Sequence, residues 1–229
     1  MNQQPSSVSV LWTGGKDSAL ALHQVAAQGC EIRNLVTFAP PNPQFLAHPL
    51  PFIRRQAEAL NLPHHLIEIH APYQEGYEQA ITSLRENHRI DALVTGDIAE
   101  VEGQPNWIRA CSRKAGIEVL TPLWGCDRAA VLRTLLDRRF KVIFSCVKKP
   151  WFTGAWIGRE LDEASFAELV ALNRATGMDL CGENGEYHTL VLGGPLLEPE
   201  IAIDRFRACE QDTLFHIELQ AFGPARTPR

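Results

Sequence analysis

Two short clusters in this 229-residue chain hold the residues best suited to chemistry. The first is Thr13-Gly14-Gly15-Lys16-Asp17-Ser18, placed between the apolar run Val8–Trp12 and a helical pattern that opens at Ala19 and runs to Gly29. Glycines let a backbone approach a ligand closely and adopt positive φ. Amide N–H groups at a helix start favour anions. Strand, glycine turn and helix start therefore read as a phosphate cradle, with Lys16 as counter-charge and Asp17 available to a metal ion. The spacing is not the common G-x-x-x-x-G-K-[ST] loop, because Val10 stands where its first glycine belongs and Asp17 follows the lysine.

The second cluster is Glu183-Asn184-Gly185-Glu186-Tyr187-His188-Thr189. It gathers two carboxylates, an amide, a phenol and an imidazole, and Gly182 and Gly185 allow a tight turn. Such carboxylates can bind a cation or amine, hold a metal, or act as a general base. The residues alone leave open a solvated hairpin turn running into Thr189–Leu192. Lys148-Lys149, Trp156 and Arg159 flank this cluster, and cations beside a phosphate site stabilise charge on a transferring group. A lysine pair can equally be a solvated face, and Trp156 a packing anchor.

The elements that must position these clusters follow from periodicity. Apolar runs at Val8–Trp12, Leu35–Phe38, Leu66–Ile69, Ala92–Val94 and Val119–Leu120 read as buried strands. Helical patterns lie between them at Ala19–Ala27, Phe52–Leu60, Tyr77–Glu86 and Trp107–Ala115. This alternation predicts a doubly wound parallel sheet of Rossmann-like α/β type, helices on both faces, with ligands beyond the carboxyl ends of the strands. Thr13–Ser18 and Gly96-Asp97 both fall at such ends, on one rim. A proline-rich connection, Ala39–Pro51, is long enough for a lid or binding loop, and its His48 reads equally as an exposed loop histidine. After Gly125 the pattern changes. Asp127 caps a helix over Ala129–Arg138, and Lys141–Val147 reads as a strand. A helix over Ser165–Ala175 and a strand at Thr189–Leu192 complete a smaller α+β domain. The expected division is residues 1–125 and 126–229, with the two clusters meeting in the cleft between the domains.

Composition narrows the class. Net charge is −5, and no basic run exceeds Arg138-Arg139 or Lys148-Lys149, so extensive nucleic-acid binding is not expected. No apolar run approaches the roughly 20 residues that span a bilayer, and the first seven residues carry no signal-peptide pattern. A cytoplasmic, membrane-free protein is the expectation. The six cysteines contain no C-x-x-C pair, which argues against a zinc or iron–sulfur site. Cys181, beside Gly182-Glu183, is the one to watch for function.

The phosphate-loop cluster resembles the S-G-G-x-D-S loop of the PP-loop ATP pyrophosphatases, or adenine nucleotide alpha hydrolases. The longer segment Leu11–Leu20 is similar to the opening of the diphthine–ammonia ligase family. So are Val94-Thr95-Gly96-Asp97-Ile98, Leu120–Gly125, Ala155–Asp162 and Cys181–Thr189, in the same order, over about residues 8 to 200. Thr13 replaces the family's serine and keeps its hydroxyl. Residues 99–107 lack the histidine and arginine that members often carry there.

The resemblance implies an ATP-dependent ligase that activates a carboxylate as an acyl-adenylate, releases pyrophosphate, and lets ammonia or an amine displace AMP. Thr13, Gly14, Gly15, Lys16, Asp17, Ser18, Gly96 and Asp97 would hold ATP, with Asp17 orienting Mg2+. Lys16, Asp17, Glu183 and Glu186 would serve catalysis. Trp156, Arg159, Glu183, Asn184, Glu186, Tyr187 and His188 would bind the acceptor, which is diphthine on elongation factor 2 if the host makes diphthamide, and otherwise another carboxylate. Tyr187 and Trp156 would face the trimethylammonium group of diphthine. Self-association is left open. Two alternatives stand beside this reading: a tRNA-modifying PP-loop enzyme, and a non-catalytic nucleotide-binding protein of the universal-stress type.

Overall fold

A computed structural model describes residues 7–100 and 106–224; the observation on 99–107 therefore falls partly outside the described residues. The elements in chain order are β1 (Ser7–Leu11), α1 (Lys16–Ala27), β2 (Glu31–Ala39), α2 (Leu50–Ala59), β3 (His64–Glu68), α3 (Tyr73–His88), β4 (Ala92–Val94), α4 (Trp107–Ala115) and β5 (Glu118–Leu120). Then follow α5 (Arg128–Asp137), β6 (Lys141–Lys148), a 3-10 turn at Gly154–Trp156, α6 (Glu163–Thr176), β7 (Tyr187–Gly193), β8 (Ile201–Gln211) and β9 (Leu214–Pro224). Two compact units result. The first comprises Met1–Thr13, Asp17–Gln44 and Asn61–Gly125, and the second Gly14–Lys16, Phe45–Leu60 and Cys126–Arg229.

The first unit is built on a five-stranded sheet in the order β3-β2-β1-β4-β5, every pair parallel. Parallel strands buried on both faces read as continuous apolar runs, which is why Val8, Val10, Leu35, Val36 and Ala92–Val94 are all buried. One layer of the core joins Val36, Leu93 and Val119 of the sheet to Ile81, Leu84, Cys111 and Ala115 of α3 and α4. Each of the Val, Leu and Ile side chains among them contributes about 1.5–3 kcal/mol when fully buried. The chain winds from β1 outward to β3, then returns to the other side of β1 as β4. That reversal is a topological switch point, the place where such sheets take ligands. β3 is an edge strand with a half-exposed burial pattern, so its apolar run marks it only approximately.

The second unit holds an antiparallel sheet in the order β7-β6-β9-β8. Asp127 caps α5 by accepting from the Ala130 N–H at 2.9 Å, and Asp162 and Ser165 form a reciprocal cap on α6. The long hairpin β8–β9 has no counterpart in the periodicity reading. Its two register shifts, at Ile203/Arg205 and Arg205/Phe206, break the period-2 alternation by which a strand is recognised. A second difference concerns α2. Its sequence position suggests a helix covering the parallel sheet, yet Leu50–Ala59 clusters with the second unit, where Phe52 packs on Phe222 with ring centroids 5.3 Å apart.

Candidate active site

Within the second unit, the phosphate-loop residues Gly14–Lys16 are held by β7 and α2. Gly14 has φ +80°, a left-handed conformation that favours glycine. Its carbonyl accepts the Val191 N–H at 3.0 Å and the Gln56 side-chain amide at 2.9 Å. The same amide donates to the Val191 carbonyl at 2.7 Å. The Lys16 N–H donates to Thr189 Oγ1 at 3.0 Å, and the Lys16 ammonium donates to the Cys181 carbonyl at 2.5 Å. Lys16 is buried, 3% exposed, and its Nζ lies 5.2 Å from the Tyr187 ring centroid. The Tyr187 hydroxyl in turn donates to the Leu180 carbonyl at 2.8 Å.

The second cluster is thus part loop and part strand. Glu183–Glu186 form the turn, with Gly182 at φ +78° and Gly185 at φ +79°, while Tyr187, His188 and Thr189 begin β7. Glu186 is buried and faces inward. Its carboxylate accepts from the Asp179 N–H at 2.7 Å, the Asn184 N–H at 3.0 Å and the Asn184 side-chain amide at 3.3 Å. Acceptors of backbone N–H groups hold a loop in shape, so Glu186 braces the turn, whereas Glu183 is partly exposed. Asn184 lines a cavity of about 490 Å³ with Asp127, Arg128, Asn173, Arg174 and Asp179. Arg128 pairs with Asp179 at 3.0 Å.

His188 is exposed, and its ring meets that of His48 edge-on at 5.4 Å. Burial, then the neighbouring charges of His188 and Lys16, lower the His48 pKa to about 3 against an opposing hydrogen bond to the Thr189 backbone. The proline-rich connection thereby brings a neutral imidazole to the lysine's surroundings.

Trp156 and Arg159 are placed differently. Trp156 is buried among Phe144 and Phe152, with centroids 4.9 and 5.0 Å away. Arg159 covers its ring at 4.6 Å and forms a two-pronged pair with Glu168, both contacts 2.7 Å. One face of each ring expected to meet a trimethylammonium group carries a cation of the protein itself: Arg159 lies over Trp156 and Lys16 over Tyr187.

In the first unit, Asp17 and Ser18 open α1, and the hydroxyls of Ser18 and Thr13 lie 3.3 Å apart. Gly96 presses on this turn so closely that a Cβ there would lie 2.6 Å from the Asp17 carbonyl carbon and 2.7 Å from the Ser18 nitrogen. Asp97 accepts from Thr95 Oγ1 at 2.7 Å and from the Asn106 side chain. Asn106 also caps α4 through the Arg109 N–H at 2.9 Å. The rim expected from the sequence is present, since β1 and β4 are neighbours in register Val8↔Ala92 to Val10↔Val94.

Gln56 was not legible as a functional residue, although one signal marked it. It sits on the apolar stripe of α2 with Phe52, Ile53 and Ala57, all buried, and a polar residue on such a stripe needs a buried partner. Among the described residues, no cluster of three His, Cys, Asp or Glu side chains could hold a metal ion. Asp17 supplies a single carboxylate in the first turn of α1. Among the described residues no helix is long and apolar enough to cross a membrane.

A five-stranded parallel sheet with flanking helices and a switch point between β1 and β4 places the chain among the Rossmann-like α/β folds. Two family models extend over nearly all of it: the diphthamide synthase N-terminal domain over residues 6–119 and the diphthamide synthase C-terminal domain over residues 127–220. The chain belongs to the diphthamide synthase family. It is 26% identical to a diphthine–ammonia ligase of Danio rerio, covering 93% of this chain and 90% of that one. The corresponding protein of Mus musculus is also 26% identical, over 88% and 84%. A crystal structure of a predicted subunit of tRNA methyltransferase from Methanocaldococcus jannaschii is similar over 82% of this chain and 97% of that one, with 17% identity and a TM-score of 0.45.

Proposed function

We propose that this protein is an ATP-dependent carbon–nitrogen ligase that converts a carboxylate to an amide. Diphthine on elongation factor 2 is the acceptor where the host makes diphthamide, and another carboxylate elsewhere. The observation that carries the reading is that Lys16 donates from its backbone to Thr189 and from its ammonium to the Cys181 carbonyl. Two clusters far apart in sequence, one suited to phosphates and one to an acceptor, thus share a single lysine. A protein that only binds nucleotide has no need of that second cluster.

In this reading the acceptor carboxylate attacks the α-phosphorus of ATP, forming an acyl–phosphate bond and expelling pyrophosphate. Ammonia then attacks the acyl carbon, AMP leaves, and the surplus proton passes to solvent. Gly14, Gly15 and Ser18 present backbone N–H groups to the departing pyrophosphate, and Lys16 offsets its charge. A carbonyl is a weaker partner for an ammonium than a phosphate, so the Cys181 contact holds Lys16 in place until nucleotide arrives. Asp17 would hold Mg2+, which supplies charge neutralisation on the phosphates. Thr13, Gly96 and Asp97 complete the nucleotide side, and Glu183, Asn184 and His188 the acceptor side.

The test is product analysis by phosphorus NMR after incubation with ATP, ammonium and a carboxylate acceptor. AMP and pyrophosphate are expected, and ADP with phosphate would overturn the reading. A tRNA-modifying role gains no particular support from any residue described above.

A further inference from the structure

The strongest unassigned feature is Gln56, fully buried on α2 with its side chain against the phosphate loop. Two carbonyl oxygens, Gly14 at 2.9 Å and Val191 at 2.7 Å, converge on its Nε2. Only the NH2 end of the amide can face two acceptors, because its oxygen there would repel both. On the Gly14 side, a Cβ would lie 2.3 Å from Gln56 Oε1. The glycine and the glutamine are thus fitted to each other.

The Gly14–Gly15 peptide is trans, since among the described residues the cis bonds all precede proline. In a trans peptide the C=O and N–H vectors point in opposite directions. Fixing the Gly14 carbonyl on Gln56 and on the Val191 N–H therefore aims the Gly15 N–H away from α2 and β7. A phosphate loop works by the direction of its N–H groups. We propose that Gln56 is the positioning residue that sets the direction of the Gly15 N–H for the β- and γ-phosphates. This role rests on the nucleotide reading above and adds to it a residue outside the loop motif.

The role predicts a selective defect. Gln56→Met keeps the volume and removes the donor, so the Gly14 peptide can rotate. In the full chain, calorimetry should show ATP and pyrophosphate each bound at least tenfold more weakly, about 1.4 kcal/mol, while AMP, which lacks those phosphates, binds within twofold of wild type. Equal losses for AMP would mean general loosening, and unchanged ATP affinity would mean no role; either overturns the inference. A wild-type chain that binds neither ATP nor pyrophosphate overturns the nucleotide reading and this role with it.

Gln56→Glu decides the matter should the methionine variant fail to fold. A protonated carboxyl donates one hydrogen bond to the two carbonyls, whereas a carboxylate repels both. Its pyrophosphate affinity, expressed as a ratio to wild type at the same pH, should approach one at pH 5 and fall at least tenfold by pH 8. The ratio cancels the titration of pyrophosphate and of Lys16, His48 and His188. A ratio independent of pH would overturn the inference.

Discussion

The ammonium of Lys16 lies 5.2 Å from the ring centroid of Tyr187, whose hydroxyl is anchored on the Leu180 carbonyl at 2.8 Å. The first residue of β7 therefore supports the lysine from one side while the Cys181 carbonyl accepts a hydrogen bond from it at 2.5 Å. The buried ammonium is thus held between an aromatic face and a carbonyl acceptor. Cation–π support of this kind contributes about 0.5–2 kcal/mol.

Lys16→Met should leave the circular dichroism spectrum unchanged and weaken ATP binding at least a hundredfold, about 2.7 kcal/mol. Tyr187→Leu should weaken it less, by about three- to tenfold, through the lost support. Calorimetric titration checks both. Equal affinity in wild type and Lys16→Met would remove the lysine from the nucleotide site.

The close approach of Gly96 to the Asp17–Ser18 turn gives a stability test with an internal control. Gly96→Ala forces a backbone shift of the kind that costs about 1–3 kcal/mol by overpacking. Gly29→Ala meets nothing within 4 Å and suffers only the strain of φ +90°, about 1–2 kcal/mol. Both should lower Tm by several degrees, at about 2–4 °C per kcal/mol for a chain of this size. Only Gly96→Ala should also weaken ATP binding.

The two carboxylates of the 183–186 turn should separate by experiment. Glu186→Gln places an NH2 group against backbone N–H donors. Thermal unfolding should register a loss of about 1–3 kcal/mol, along with slower acceptor-dependent AMP release. Glu183→Gln should leave stability within about 0.5 kcal/mol and ATP affinity within twofold, yet abolish acceptor-dependent AMP release. A tenfold loss of ATP affinity in Glu183→Gln would assign that residue to the nucleotide instead.

His48 predicts a pH signature. Its folded-state pKa of about 3 lies below the ordinary 6.5, so the unfolded chain takes up the proton first as pH falls. Stability is then fully present above about pH 6.5 and declines from there towards pH 3. His48→Asn should flatten the fall of Tm between pH 6.5 and 4. Parallel profiles for variant and wild type would show that His48 titrates normally in the folded protein.

Sequence alone determined the parts of this protein that are written locally. The Thr13–Ser18 turn after a buried strand, the alternation of strand and helix to Leu120, and the Asp127 cap each depend on residues a few positions apart. α1 was placed with its start three residues late, at Ala19 instead of Lys16, and the parallel sheet was legible. The β8–β9 hairpin was not, because the register shifts around Arg205 erase its alternation.

The tertiary structure decided which partners the polar and aromatic side chains have. The sequence shows Glu186 as a carboxylate in a turn, and the fold sets its oxygens on the N–H groups of Asp179 and Asn184. Trp156 reads from sequence as an open aromatic ring, and the fold sets Arg159 over one of its faces. Gln56 looks like an ordinary helix residue until Gly14 and Val191 are found on its amide. In each case the deciding partner is a hydrogen bond or a ring contact that exists only after folding. A sequence fixes which groups are present, but the geometry of their contacts decides whether a polar side chain is spent on the backbone or left for a substrate.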